Sequence, residues 1–193
     1  MNTLIEKLEL QARENPKETI LFDETVTKGI TYEDLHELSG KVYAWLKYQG
    51  IGREDFILIN LARGVLPVVA IIGILKAGAA FALVEENCAP ERIEYIRKDC
   101  GCKSEINRNA WEEILKCEPL DGHEQTDSVG ALFSSLENRG HVQAAKAVSG
   151  PEILYDSLCQ SNRPFSDHPD PCVVLVYLAD WVCSAFFCGH STL

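Results

Sequence analysis

The sequence predicts an α/β fold whose strands lie side by side in a parallel sheet. Two features carry that expectation. Residues 56–61, FILINL, form an apolar run of strand length, the pattern of a strand covered on both faces. A helix-length segment, 63–76, and a second apolar run, AAFALV at 79–84, follow it; that strand, helix, strand order closes as a right-handed crossover.

The elements follow in order from caps, periodicity and stops. Thr3 with Glu6 makes a capping box, and Leu4, Leu8 and Ala12 line one side of a first helix that ends before Pro16. Ile20, Leu21 and Phe22 are a short strand candidate, followed by a turn through Lys28 and Gly29. Thr31 is placed to cap a second helix, in which Leu35, Leu38, Val42, Trp45 and Leu46 recur at helical spacing and after which Gly50 supplies a left-handed stop. The helix over 63–76 tolerates Pro67 in its first turn, and Gly78 stands where its stop belongs. Pro90 opens a further helix with Ile93, Ile96 and Cys100 on one face and Gly101 at its end. Residues 103–106 read as another strand, and Trp111, Ile114 and Leu115 as a short helix.

The corner Lys76-Ala77-Gly78-Ala79 joins helix to strand. Small residues there let the two elements approach closely, so packing and turning is the expected role, with Gly78 sensitive to substitution and Lys76→Ala nearly silent. The corner has no hydroxyl and few glycines, which makes it a poor phosphate cradle. The apolar stretch 64–84 carries Pro67, Gly73, Lys76 and Gly78 and lacks aromatic belts, so a membrane span is not expected.

A chain of 193 residues, 46% hydrophobic and 24% charged, fits one globular domain or a piece of a larger one. A net charge of −11 excludes a nucleic-acid groove or an anionic membrane surface as the main partner, since both need clustered Lys and Arg. The N-terminal residues read as a charged helix rather than a signal peptide, from which a cytoplasmic location is expected. The eight cysteines, at 88, 100, 102, 117, 159, 172, 183 and 188, are then read as reduced thiols. Cys100-Gly101-Cys102 lacks zinc-knuckle spacing, and no metal site is expected.

Other candidate chemistry is weak. His36 reads as a partly exposed helix residue rather than a base, and Asp121-Gly122-His123-Glu124 as turn chemistry before an acid–base or metal role. Ser149, Ser157 and Cys159 lack a nucleophile elbow, and Cys188-Gly189-His190 matches no chemistry. The sequence therefore assigns no catalytic, cofactor-binding or metal-ligating residue.

Two motifs resemble the N-terminal part of adenylate-forming enzymes, the superfamily of acyl-CoA synthetases, luciferases and peptide-synthetase adenylation domains. Ile30-Thr31-Tyr32-Glu33-Asp34-Leu35 is similar to the family's first core motif, and Leu75-Lys76-Ala77-Gly78-Ala79-Ala80-Phe81 to the second; Ala89-Pro90-Glu91-Arg92-Ile93 fits the next helix start. Where relatives carry a proline and an aspartate, this chain has Val84-Glu85-Glu86-Asn87. The resemblance implies a Rossmann-like layered N-terminal subdomain over residues 1–127, with both motifs acting mainly as scaffold. It also implies that an intact relative uses ATP and magnesium to turn a carboxylic acid into an acyl-adenylate, then passes the acyl group to coenzyme A or a carrier-protein thiol.

The parts such chemistry needs are a Ser/Thr/Gly-rich phosphate loop closed by Pro-Lys-Gly, an aromatic-Thr-Glu, a ribose-binding aspartate and a lysine on a mobile domain. The phosphate loop is due soon after Asp127, yet residues 128–138 read SVGALFSSLEN. Composition changes at the same point, from 38 charged residues in the first 127 to 9 in the last 66. Residues 128–193 are accordingly expected to be a divergent tail, either an odd subdomain or, preferred, the product of a truncated or frame-shifted reading, with a strand at 172–177 and an apolar run at 181–188. The chain alone is expected to be inactive, to hold no cofactor, to be cut first within 120–150 by a protease, and to pair with the remainder of such an enzyme or with itself. The alternatives are a non-catalytic protein-interaction module and a small unrelated α/β enzyme using His123.

Overall fold

The computed structural model describes residues 4–21, 29–53, 55–62, 64–84 and 88–124, and the backbone of 131–133 and 145–147. The first helix, α1, is Leu4–Glu14 and turns Ile5 and Leu8 into the core, with Ala12 packed beside them. Thr3 and the side chain of Leu4 lie outside the described residues, as does Phe22. Strand β1, Thr19–Leu21, pairs antiparallel with β2, Ile30–Thr31. Sequence periodicity does not reveal β2, because two residues are too few to show an alternation.

Thr31 ends β2 and also caps α2, Tyr32–Tyr48. Its Oγ1 accepts from the Asp34 amide at 3.1 Å while Asp34 Oδ2 accepts from the Thr31 amide at 3.0 Å, a reciprocal capping box. The expected stripe of α2 is buried at Leu35, Val42, Trp45 and Leu46, with Leu38 packed against it, and Gly50 stops the helix at φ +70°.

The sheet proper begins with β3, Phe56–Ile59, which stops short of the full apolar run; at Asn60 the side-chain amide donates to Glu105 Oε1 of the neighbouring strand at 3.0 Å. Helix α3, Val65–Lys76, starts two residues later than the sequence suggests, behind Gly64 at φ +136°, a backbone setting that only glycine adopts readily. Strand β4 is Ala80–Leu83, α4 is Pro90–Cys100 with its proline in the first turn and Gly101 at φ +63° behind it, and β5 is Ser104–Ile106. The short helix α5, Arg108–Ile114, is capped by Asn107, whose side chain accepts from the Ala110 amide at 3.1 Å. Strands β6, Ala131–Phe133, and β7, Ala145–Ala147, follow.

Five strands form one sheet in the order β5-β3-β4-β6-β7. The first four run parallel, with Ile57 opposite Phe81 and Ser104, and Phe81 opposite Ala131; β7 turns back antiparallel on β6. Alternate strand residues face opposite sides. Ile57, Ile59, Phe81 and Ile106 join the large core with α1, α2, α3 and α5, whereas Leu58, Ala82 and Val84 meet Ile96 of α4 on the other side. Helices on both faces explain why these strands are apolar throughout. Thus β6 and β7, from beyond residue 127, belong to the same sheet as β3 and β4. The strand expected at 172–177 and the apolar run at 181–188 lie outside the described residues.

Helices α2 and α3 pack closely. A Cβ on Gly73 would collide with Val42 Cβ, and one on Gly40 would stand 3.1 Å from the Leu120 carbonyl oxygen.

Candidate functional site

The corner after α3 is built as a turn. Gly78 adopts φ +70°, its amide donates to the Leu75 carbonyl at 3.0 Å, and the Ala79 amide donates to the Ile74 carbonyl at 3.1 Å. Helix C-termini close this way because glycine enters the left-handed region without a Cβ penalty. Packing and turning is therefore what Ala77, Gly78 and Ala79 do.

Lys76 departs from the expectation of a dispensable side chain. It is 1% exposed, because α1 and α2 close over the last turn of α3. Its Nζ donates to the His36 carbonyl at 3.4 Å and faces His36 Nδ1 at 3.5 Å. An ammonium only donates, so Nδ1 is the acceptor, and Nε2 carries the hydrogen given to Asp121 Oδ1 at 3.2 Å. Burial draws the Lys76 amine down to about 8, against the opposing pull of Glu9 and Asp121. A small pocket beside it, bounded by Glu9, Tyr32, His36, Ser39 and Ile72, has room for about one water. The expectation of a nearly silent Lys76→Ala is corrected accordingly: the substitution removes three buried methylenes and the amine they carry.

The turn at residues 121–124 is also more than a turn. Gly122 takes φ +82°, the flanking side chains reach α1 and α2, and a backbone amide reaches α3. Asp121 meets His36 of α2, and His123 Nδ1 meets Glu9 Oε1 of α1 at 3.2 Å. Glu124 accepts from Lys47 Nζ at 2.6 Å and from Tyr43 at 3.4 Å, while its amide donates to the Lys76 carbonyl at 2.8 Å. The Lys47 hydrogen bond holds the Glu124 carboxyl below its ordinary range, and burial, then Glu124, raises the Tyr43 hydroxyl. His36 is thus half-buried, and the structure brings it together with Lys76 and Asp121. Sequence reasoning missed this cluster because its members lie up to 114 residues apart.

On the opposite face, Cys100 and Cys102 flank Gly101. Burial pushes the Cys102 thiol up to about 12 and also raises Cys100, so neither is primed as a nucleophile. Arg97 ties α4 to Glu105 of β5, which also accepts from Asn60 at 3.0 Å.

Residues 134–144, which include part of the stretch where a phosphate loop is due, connect β6 to β7 and lie outside the described residues. Among the described residues no group of three His, Cys, Asp or Glu could hold a metal ion, and no helix is long and apolar enough to cross a membrane. A pocket for one water does not fit a nucleotide.

A parallel sheet layered between helices, with the two motifs at the head of α2 and at the α3–β4 corner, defines the N-terminal subdomain of adenylate-forming enzymes. The chain belongs to the AMP-binding enzyme family, whose profile matches residues 8–177 and so runs on past residue 127. It is 35% identical over 125 residues to zwittermicin A synthase ZmaJ of Bacillus cereus, covering 62% of this chain and 23% of that protein. It is 36% identical over 74 residues to surfactin synthase subunit 1 of Bacillus subtilis, covering 38% of this chain and 2% of that protein. In fold it is similar to the N-terminal domain of FACL13 from Mycobacterium tuberculosis, with a TM-score of 0.69 at 16% identity over 96% of this chain and 55% of that one. A benzoate CoA ligase from Burkholderia xenovorans gives a TM-score of 0.61 at 19% identity, over 70% of this chain and 33% of that one. The chain thus spans less than a quarter of these two curated relatives and at most about half of these solved chains.

Proposed function

We propose that this chain is the N-terminal portion of an AMP-dependent synthetase or ligase which, when complete, activates a carboxylic acid with ATP and magnesium as an acyl-adenylate and transfers it to a coenzyme A or carrier-protein thiol. The observation that carries the reading is the family match over residues 8–177 together with its parallel four-strand core. Adenylate formation places charge on the α-phosphate, which backbone amides and a lysine stabilise from fixed positions. The 193 residues contain no Ser/Thr/Gly-rich loop closed by Pro-Lys-Gly. The helices and strands of this chain serve as scaffold, and the remainder of the enzyme is the partner that supplies the chemistry.

The chain by itself is then catalytically silent. Acid-dependent exchange of pyrophosphate into ATP, measured with a panel of carboxylic acids, is expected to stay at background. Exchange above background with any acid would overturn the reading of this chain as scaffold alone.

A further inference from the structure

The turn between α4 and β5 brings together two thiols that the proposed chemistry does not use. Gly101 takes φ +63° and ψ +37°, and the turn closes with the Gly101 amide on the Lys98 carbonyl at 3.3 Å and the Cys102 amide on the Arg97 carbonyl at 3.0 Å. A helical middle residue of either hand sets the Cα atoms on its two sides about 5.4 Å apart, whereas an extended one sets them nearly ~7 Å apart. The shorter separation lies well inside the range that a disulfide spans. Side-chain direction agrees with it. Cys100 and Cys102 both pack against the cluster of Leu58, Ala82, Val84 and Ile96, and their thiols lie within hydrogen-bonding reach of each other. Both side chains are partly exposed, so a small solute reaches them.

We propose that Cys100 and Cys102 form a reversible dithiol–disulfide couple, whose oxidation by a small-molecule disulfide fastens the turn that joins α4 to β5. The Cys100 thiolate attacks one sulfur of the small disulfide and expels the other half as a thiolate. Cys102, having given up its proton, then attacks Cys100 Sγ and expels the second half. The two protons end on the two released thiols; the protein sulfurs are oxidised by two electrons and the small disulfide is reduced by two. Burial keeps both protein thiols protonated at neutral pH, so exchange is slow and the pair is a couple poised by its surroundings rather than a catalytic centre. Folding favours the bond because the left-handed glycine and the shared apolar cluster already hold the sulfurs together, whereas the unfolded chain must gather them. The cycle closes: the bond favours the fold in the ratio by which the fold favours the bond.

The full chain, brought to equilibrium at about pH 8 in mixtures of reduced and oxidised glutathione, quenched in acid, blocked with a maleimide and cut with trypsin, tests this. Trypsin releases residues 99–103 as one peptide that holds these two cysteines and no other. That peptide is expected to emerge unblocked and two hydrogens lighter than its dithiol form. At one glutathione mixture its ratio of disulfide to dithiol is expected to be roughly tenfold higher from the native chain than from the same chain in urea, and the oxidised chain is expected to gain the same factor in its folding equilibrium. A peptide that stays dithiol, keeps glutathione on either cysteine, or is linked to another cysteine-bearing peptide would overturn the proposal, as would a native-to-urea ratio of one or less.

Discussion

Gly73 shows how little room single positions leave. A methyl group added there would meet Val42 far inside van der Waals distance, so Gly73→Ala is expected to cost about 1 to 3 kcal/mol. In Gly73→Ala with Val42→Ala the penalties are expected to be less than additive, a coupling that a double-mutant cycle by urea denaturation measures. Gly78→Val meets a different obstacle, a β-branched side chain at φ +70°, with an expected loss of about 1 to 3 kcal/mol. Lys76 affects stability through pH. Its folded-state amine loses its proton near 8 while the unfolded chain keeps it to about 10.5, so the unfolded state binds more protons across that interval and stability rises with pH through it, by about 3 kcal/mol in all. Below 8 both states hold the proton and the full cost remains. Lys76→Met is expected to flatten this rise in denaturation midpoints taken from pH 7.5 to 10.5; a rise of the same size in the variant would show that another group carries it. Gly78 was legible because a glycine after a helical run marks a left-handed stop. Lys76 was not, because its burial depends on α1 and α2 arriving over it from far along the chain.

Among the elements, α2 reads most plainly. Its start and stop are local chemistry: Thr31 and Asp34 bond each other's backbones, and Gly50 turns the chain away. Thr31→Ala is expected to lower stability by about 1 kcal/mol, visible as a shifted thermal midpoint, with Thr31→Ser recovering most of it. The same local grammar marks Pro90, Gly101 and Asn107. It fails at β2, where the tertiary pairing of Thr31 with Thr19 makes a strand of residues whose own pattern says only helix cap. It fails again at 121–124, where Asp, Gly, His and Glu announce a turn but not the two helices their side chains reach.

For the molecule as a whole, the apolar runs at β3 and β4 correctly implied cover on both faces, and that cover is uneven. Four helices share one face of the sheet, whereas Leu58, Ala82 and Val84 have, among the described residues, α4 alone, with Tyr95 on that helix 45% exposed. Those three residues are buried, so the apolar surface this side offers for association is the outer face of α4 around Tyr95. Sedimentation velocity on the full chain is expected to show species larger than a monomer, whose proportion grows with concentration; a single monomeric boundary at every concentration would contradict this. The order of strands was beyond reach of the sequence, since nothing in residues 131–133 states that they will lie beside β4 rather than β5.

That neighbour relation bears on how the chain assembles as it is made. Pairing Phe81 with Ala131 asks β4 to wait for a partner synthesised roughly fifty residues later, a distant closure of the kind that slows folding. The bond from the Glu124 amide to the Lys76 carbonyl closes a loop of nearly the same span. Once it forms, roughly a dozen residues separate the two strands through the bonded chain instead of fifty, which lowers the closure entropy by about 1 kcal/mol. Were residues 119–124 to dock first, they would act as a basting stitch, holding the two halves of the seam close before the sheet is sewn.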